Sequence, residues 1–211
     1  MNVNCVHNPL IFSFMPGVHL YSIHQPEKCS MILPVFIYHP DPLKTSTFIP
    51  SDQVCRVCKQ ARGFQYMGPV YPNLGNLIPI CPWCIASGEA YSALALEFSD
   101  PNLILNDQND QEVSRAVKDE ICKRTPGFNT WQDQIWLSHC ADAAVFLGAC
   151  DGKTIRQEHA EVLPQIQEDY CGEHEVLDEY VDELEAEAGW LVARIFQCRH
   201  CSQKLVHIEA D

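Results

Sequence analysis

The chain has 211 residues, 46% of them hydrophobic and 12 of them cysteine, with 14 Lys and Arg against 28 Asp and Glu for a net charge of -14. That is enough apolar sequence for one large domain with its own core, so a bound metal would fix local turns and not replace the core. The acidic balance repels phosphate backbones and argues against general nucleic-acid binding, and no run reaches the roughly 20 apolar residues of a membrane helix.

Residues 1–30 show no clear periodicity and read as an N-terminal extension, with translation expected to start at Met31, directly before the strand-like LPVFIYHPDPL. No signal peptide is visible in them, which points to a reducing cytoplasm, where paired cysteines are metal ligands or redox pairs more often than disulfides. From Leu33 to Ile49, Pro34, Pro40 and Pro42 divide the chain into short extended pieces.

Next comes VCRVCKQ, which places Cys55 and Cys58 in one tight turn. GFQYMGPVY reads as a strand ending at the turn signals Pro72, Asn73 and Gly75; LIPI reads as a second strand that runs into Cys81 and Cys84 of ICPWCIA, and IASGEAYSALALEF as a helix. The 22 residues between Cys58 and Cys81 fit one hairpin. Segment 51–98 is therefore expected to be a treble-clef-like zinc-binding unit in an α+β domain spanning 31–211.

Segment 109–188 is expected to be helical. Val113, Val117 and Ile121 recur every four residues until Arg124-Thr125-Pro126-Gly127 stops the pattern. WQDQIWLSHCADAAVFLG, after Thr130, is apolar nearly all round and reads as a buried helix ending near Gly148. Between Gln157 and Ala188 there are 12 Asp or Glu residues and no Lys or Arg, yet Leu177, Tyr180, Val181, Leu184 and Ala188 keep helical spacing. This predicts an amphipathic helix with an acidic outer face, a solvated surface or a dock for a basic protein partner. Segment 190–211 reads as strand, cysteine turn, strand: a zinc-knuckle hairpin at Cys198 and Cys201, expected to join the sheet of the first pair.

Cys-x-x-Cys spacing lets two thiolates from one turn reach the same ion, and two such turns complete the four-sulfur shell that zinc prefers. Cys55, Cys58, Cys81 and Cys84 are thus expected to hold one structural zinc with no open position for substrate. The competing reading is redox, because CPWC at a helix start resembles a dithiol oxidoreductase motif, although the alternating β-α unit that usually carries it is missing. For Cys198 and Cys201 a second zinc is left open. Cys140 or His139 are the first candidates to complete it, ahead of His200, Cys150 and His39, but helical neighbours point about 100° apart, which argues against His139 and Cys140 sharing one ion. His139 and Asp142, three apart on the expected helix, are also the candidates for an acid-base pair in a pocket with Trp131, Trp136 and His39.

In order, LPVFIYHPDPL, CRVC, GFQYMGPVY, CPWCIASGEA, RTPGFNTWQDQIWLSHCADAAVFLG and FQCRHC resemble the CbrC family of small bacterial proteins over about 180 residues. That family takes its name from a member associated with altered colicin tolerance, so the resemblance implies an organisation more than a mechanism. The extension before Met31 is a departure from its pattern. The expectation is a cytoplasmic, zinc-stabilised protein-interaction or stress-tolerance factor, with an enzyme using His139 and Asp142, or a dithiol redox protein, as the alternatives.

Overall fold

Short strands and short helices linked by tight cysteine turns make up the computed structural model, which describes residues 32–72, 78–171, 176–185 and 190–210. The extension over 1–30, the start at Met31, the turn residues Asn73 and Gly75, and Ala188 lie outside the described residues.

Strand β1 (Phe48–Pro50) pairs antiparallel with β2 (Phe64–Tyr66), and the first cysteine turn lies between them. Helix α1 (Pro82–Ala86) starts directly after Cys81, with Pro82 in the first turn, where its missing N–H breaks no helical bond. The single helix expected over IASGEAYSALALEF is instead α1 followed by α2 (Glu89–Leu94). Gly88 separates them in the left-handed region, at φ +76°, which glycine adopts without a Cβ clash. Phe36, Phe48, Tyr66, Ile80, Ile85 and Phe98 form the apolar cluster against which the cysteines pack.

Helix α3 (Arg115–Arg124) is close to its expected span, capped by the Ser114 hydroxyl, which accepts from Val117 N–H, and it buries Ile121. Beyond it the chain passes Gly127, where a Cβ would lie 2.2 Å from the Phe98 carbonyl oxygen. Phe128 then stacks on Phe146 at 4.0 Å between ring centres.

The buried helix expected after Thr130 does not form. The stretch is β3 (Ser138–His139), β4 (Asp142–Ala143) and β5 (Val145–Cys150). A run that is apolar on all sides fits a covered strand as well as a buried helix, and here long-range partners decide. Trp136 N–H donates to Leu103 O, Phe146 N–H to Tyr38 O, and Trp136 Nε1 to Ala144 O. These bonds are available only to an extended chain.

The acidic region is also more broken than expected: α4 (Gly152–Glu158), α5 (Leu163–Asp169) and α6 (Leu177–Asp182) are short helices. Val181 and Leu184 are buried, as their spacing predicts, but the helix ends because the chain turns back: Gly152 N–H takes Leu184 O and Glu185 N–H takes Leu191 O.

The last two strands, β6 (Leu191–Gln197) and β7 (Lys204–Ala210), join β5 in an antiparallel sheet of order β5-β6-β7. This sheet is separate from β1-β2, contrary to the expectation that the C-terminal hairpin extends the first one. β6 is central, paired with β5 on one side and β7 on the other, and its six successive buried residues show that both its faces are covered. Within this sheet Arg194 and Glu209 form a buried ion pair, with Arg194 Nε at 2.9 Å and a terminal nitrogen at 2.6 Å from one carboxylate oxygen. The other oxygen accepts the N–H groups of Trp131 and Gln132. Among the described residues no helix is long and apolar enough to cross a membrane.

Candidate metal centres

The two cysteine knuckles share one backbone design. In the first, Cys55 N–H bonds Gln60 O and Lys59 N–H bonds Cys55 O; in the second, Cys198 N–H bonds Gln203 O and Ser202 N–H bonds Cys198 O. Lys59 and Ser202, at equivalent positions, both take left-handed φ values of 58° and 62°. The turn folds the two sulfurs of each Cys-x-x-Cys to the same side and aims backbone N–H groups at the first sulfur: His200 N–H lies 3.3 Å from Cys198 Sγ.

Around the first knuckle, the ligand atoms of Cys55, Cys58, Cys81 and Cys84 lie within 4.8 Å of one another. Cys55 Sγ is 3.8 Å from Cys84 Sγ, and Cys58 Sγ is 3.8 Å from Cys81 Sγ. A tetrahedral zinc with bonds of about 2.3 Å to sulfur has sulfur–sulfur edges of about 3.8 Å, so this group has the size of a zinc-sulfur shell. Electrostatics agree. Burial opposes ionisation of Cys55, but the N–H groups of Cys58, Cys81 and Val57 outweigh it and lower the thiol to about 7. Burial, together with the neighbouring Cys55 charge, raises Cys81 to about 11 and raises Cys84 further. One sulfur ionises readily and its neighbours resist; a divalent cation among them removes that conflict.

The second knuckle also gains two partners. His139, Cys140, Cys198 and Cys201 place their ligand atoms within 4.8 Å of one another. His139 Nδ1 lies 3.1 Å from Cys140 Sγ and 3.4 Å from Cys201 Sγ, and the two sulfurs are 4.0 Å apart. The expectation that His139 and Cys140 point apart rested on a helix. In the β3-β4 hairpin, Cys140 and Ala141 instead form the two-residue turn with φ values of 56° and 57°, which brings the Cys140 sulfur back beside the imidazole. Here too one sulfur is easily ionised: burial opposes it, but the N–H groups of Cys201 and His200 lower Cys198 to about 6. Desolvation and the neighbouring sulfurs of Cys198 and Cys201 raise Cys140 to about 11.

The remaining sequence candidates lie elsewhere. The Asp142 carboxylate does not hydrogen-bond the His139 ring; it accepts from Tyr38 Oη at 2.7 Å, from Arg199 at 3.0 Å, and meets His200 Nε2 at 2.9 Å. Sequence reasoning missed Tyr38 and Arg199, and nothing in their spacing marks them as partners of Asp142. Cys150 is in the apolar cluster of Ile155, Ile166 and Ile195. Trp131 is exposed and Trp136 fully buried, so they do not line one pocket.

His39 is fully buried, with Nδ1 2.8 Å from Pro126 O and Nε2 2.7 Å from Thr45 Oγ1, away from both cysteine clusters. Burial pushes its pKa down to about 4 from 6.5. A lowered histidine pKa means that the folded state favours the neutral ring. This contribution is complete above about pH 6.5 and is lost as the pH falls toward 4, amounting to about 2 kcal/mol by pH 5. Urea unfolding at pH 7 and pH 5 should therefore show a larger acid loss in the unaltered protein than in His39→Gln, by about that amount. Equal losses would mean that His39 titrates normally.

Fold and site together define the class: a mixed α+β protein with, among the described residues, two four-residue Cys/His clusters suitable for zinc. The chain belongs to the uncharacterised protein family UPF0167, which it matches over residues 33–210. It is 36% identical over 181 residues to the UPF0167 protein PA1536 of Pseudomonas aeruginosa, covering 85% of this chain and 97% of that one. To the UPF0167 proteins Mb2317 of Mycobacterium bovis and MT2352 of Mycobacterium tuberculosis it is 34% identical over 180 residues, covering 84% of this chain and 93% of each. No solved structure matches the chain.

Proposed function

We propose that this is a CbrC-type cytoplasmic protein that holds two zinc ions and acts as a protein-interaction factor in stress or colicin tolerance. Cys55, Cys58, Cys81 and Cys84 would bind the first ion, and His139, Cys140, Cys198 and Cys201 the second. The observation that supports the reading is that each cluster gathers four potential ligand atoms within 4.8 Å of one another. A site with four protein ligands is closed, which favours a structural over a catalytic ion. In support of an interaction role, Trp190 and Val176 are exposed beside Glu179 and Glu183, around a cavity of about 460 Å³. An apolar floor with an acidic rim suits a basic partner segment.

Native mass spectrometry of the purified chain is expected to count two zinc ions. His139→Ala and Cys201→Ser should each lower the count to one and leave the first ion in place. A count of one for the unaltered protein, or no change in either variant, would refute the second site. For the interaction role, Glu179→Gln with Glu183→Gln should abolish capture of a basic partner from lysate, and undiminished capture would remove this face from the proposal.

A further inference from the structure

The two clusters differ in who can reach them. In the first, Cys55, Cys81 and Cys84 are buried and Cys58 is half-buried. In the second, His139 and Cys198 are buried, but Cys140 and Cys201 are exposed. Separation does not distinguish the clusters, since the sulfur pairs are 3.8 Å apart in the first and 4.0 Å in the second. Access does.

We propose that Cys140 and Cys201 are a peroxide-reactive pair, which closes to a disulfide and releases the zinc of the second centre while the first centre stays intact. The inference rests on the reading that the second cluster binds zinc. One exposed thiolate attacks the peroxide; an S–O bond forms, the O–O bond breaks, and water leaves after a proton is taken up. The other exposed thiolate then attacks the sulfenic sulfur; the S–S bond forms, the S–O bond breaks, and a second water leaves with another proton. Two thiolates supply the two electrons that reduce one hydrogen peroxide to two waters. With two of its four ligands consumed, zinc has only Cys198 and His139 and dissociates.

The local fold permits this step. A disulfide requires the sulfurs to close from 4.0 Å to about 2.05 Å. Cys140 is at the tip of the β3-β4 hairpin, and Cys201 is in the knuckle turn just before Ser202. Both are turn residues with exposed side chains, so neither has to leave the core. Below them the pairing of Gln197 with Lys204 can stay unchanged. In the first centre, by contrast, Cys55–Cys84 and Cys58–Cys81 join a knuckle to a helix start, and three of the four sulfurs belong to buried residues with Cys58 half-buried, so peroxide reaches them less readily.

The test uses the reduced, zinc-loaded full chain, followed by native mass spectrometry and peptide mapping through a hydrogen peroxide time course. The expected result is a fall from two zinc ions to one, a protein lighter by two hydrogens, and a cross-link that maps to Cys140 and Cys201. The remaining zinc should leave about tenfold more slowly or slower still, and dithiothreitol with added zinc should restore the first state. Cys140→Ser should give no cross-linked product at Cys201. Two zinc ions retained throughout, or loss from both centres at one rate, would overturn the proposal while leaving the two-zinc reading standing. A single zinc before any peroxide is added would overturn both.

Discussion

Cys81→Ser is expected to break the first four-cysteine cluster and, if that cluster holds the zinc proposed for it, to unfold the segment built around it. Cys81 is 1% exposed, stands at the N-cap immediately before α1, and donates its N–H to Cys55 Sγ at 3.4 Å, so it joins the knuckle to the helix. The elements it joins are small: β1 and β2 have three residues each and α1 has five. Helices and hairpins this short are not stable alone. Structural zinc supplies about 10–16 kcal/mol in small zinc-binding domains, well beyond what such elements provide by propensity. The apolar cluster of Phe36, Phe48, Tyr66 and Phe98 offsets part of the loss, so the result should be local unfolding with a compact remainder. Amide hydrogen exchange should show residues 48–98 unprotected and the β5-β6-β7 sheet still protected. Unchanged protection across 48–98 in the metal-free variant would mean that packing alone holds the segment.

The second large effect involves residues outside both cysteine clusters. Glu209→Ala leaves the Arg194 guanidinium buried without its counter-charge and strips the acceptor from two backbone N–H groups, those of Trp131 and Gln132. Breaking one side of a buried ion pair costs about 3–5 kcal/mol, which in a domain of this size lowers Tm by about 6–20 °C. The double variant Arg194→Met with Glu209→Leu should recover much of the loss but not all of it, because it removes the orphaned charge and not the two orphaned amides. A thermal melt of the three proteins checks this ordering. If Glu209→Ala melts with the unaltered protein, the pair contributes nothing.

That carboxylate ties residues 131 and 132 to the sheet, and the stretch that follows them is where the sequence misled. WQDQIWLSHCADAAVFLG is apolar on every side, and burial alone does not separate a covered strand from a buried helix. The turn at Cys140 and Ala141 carries neither glycine nor asparagine, so the usual signal of a two-residue hairpin is absent at the place where the second cluster is built. A helical reading set His139 apart from Cys140; the hairpin puts them 3.1 Å apart. Likewise, Asp142 was expected to orient His139 and instead faces Tyr38, Arg199 and His200, which are remote in sequence from it or from each other.

What the amino-acid order determined by itself are the local devices. Each Cys-x-x-Cys is a self-contained turn whose hydrogen bonds close within six residues, so both knuckles, the strands around the second and the grouping of the first four cysteines were legible without any tertiary knowledge. Short-range geometry is a property of the residues that make it. Only the tertiary structure decided which distant turn meets the second knuckle, that β5-β6-β7 is a sheet apart from β1-β2, and that Cys140 and Cys201 face solvent while Cys55, Cys81 and Cys84 are buried. Those outcomes depend on backbone hydrogen bonds and apolar surfaces supplied by residues tens of positions away, such as Leu103 for Trp136 and Tyr38 for Phe146, and no window of neighbouring residues contains them.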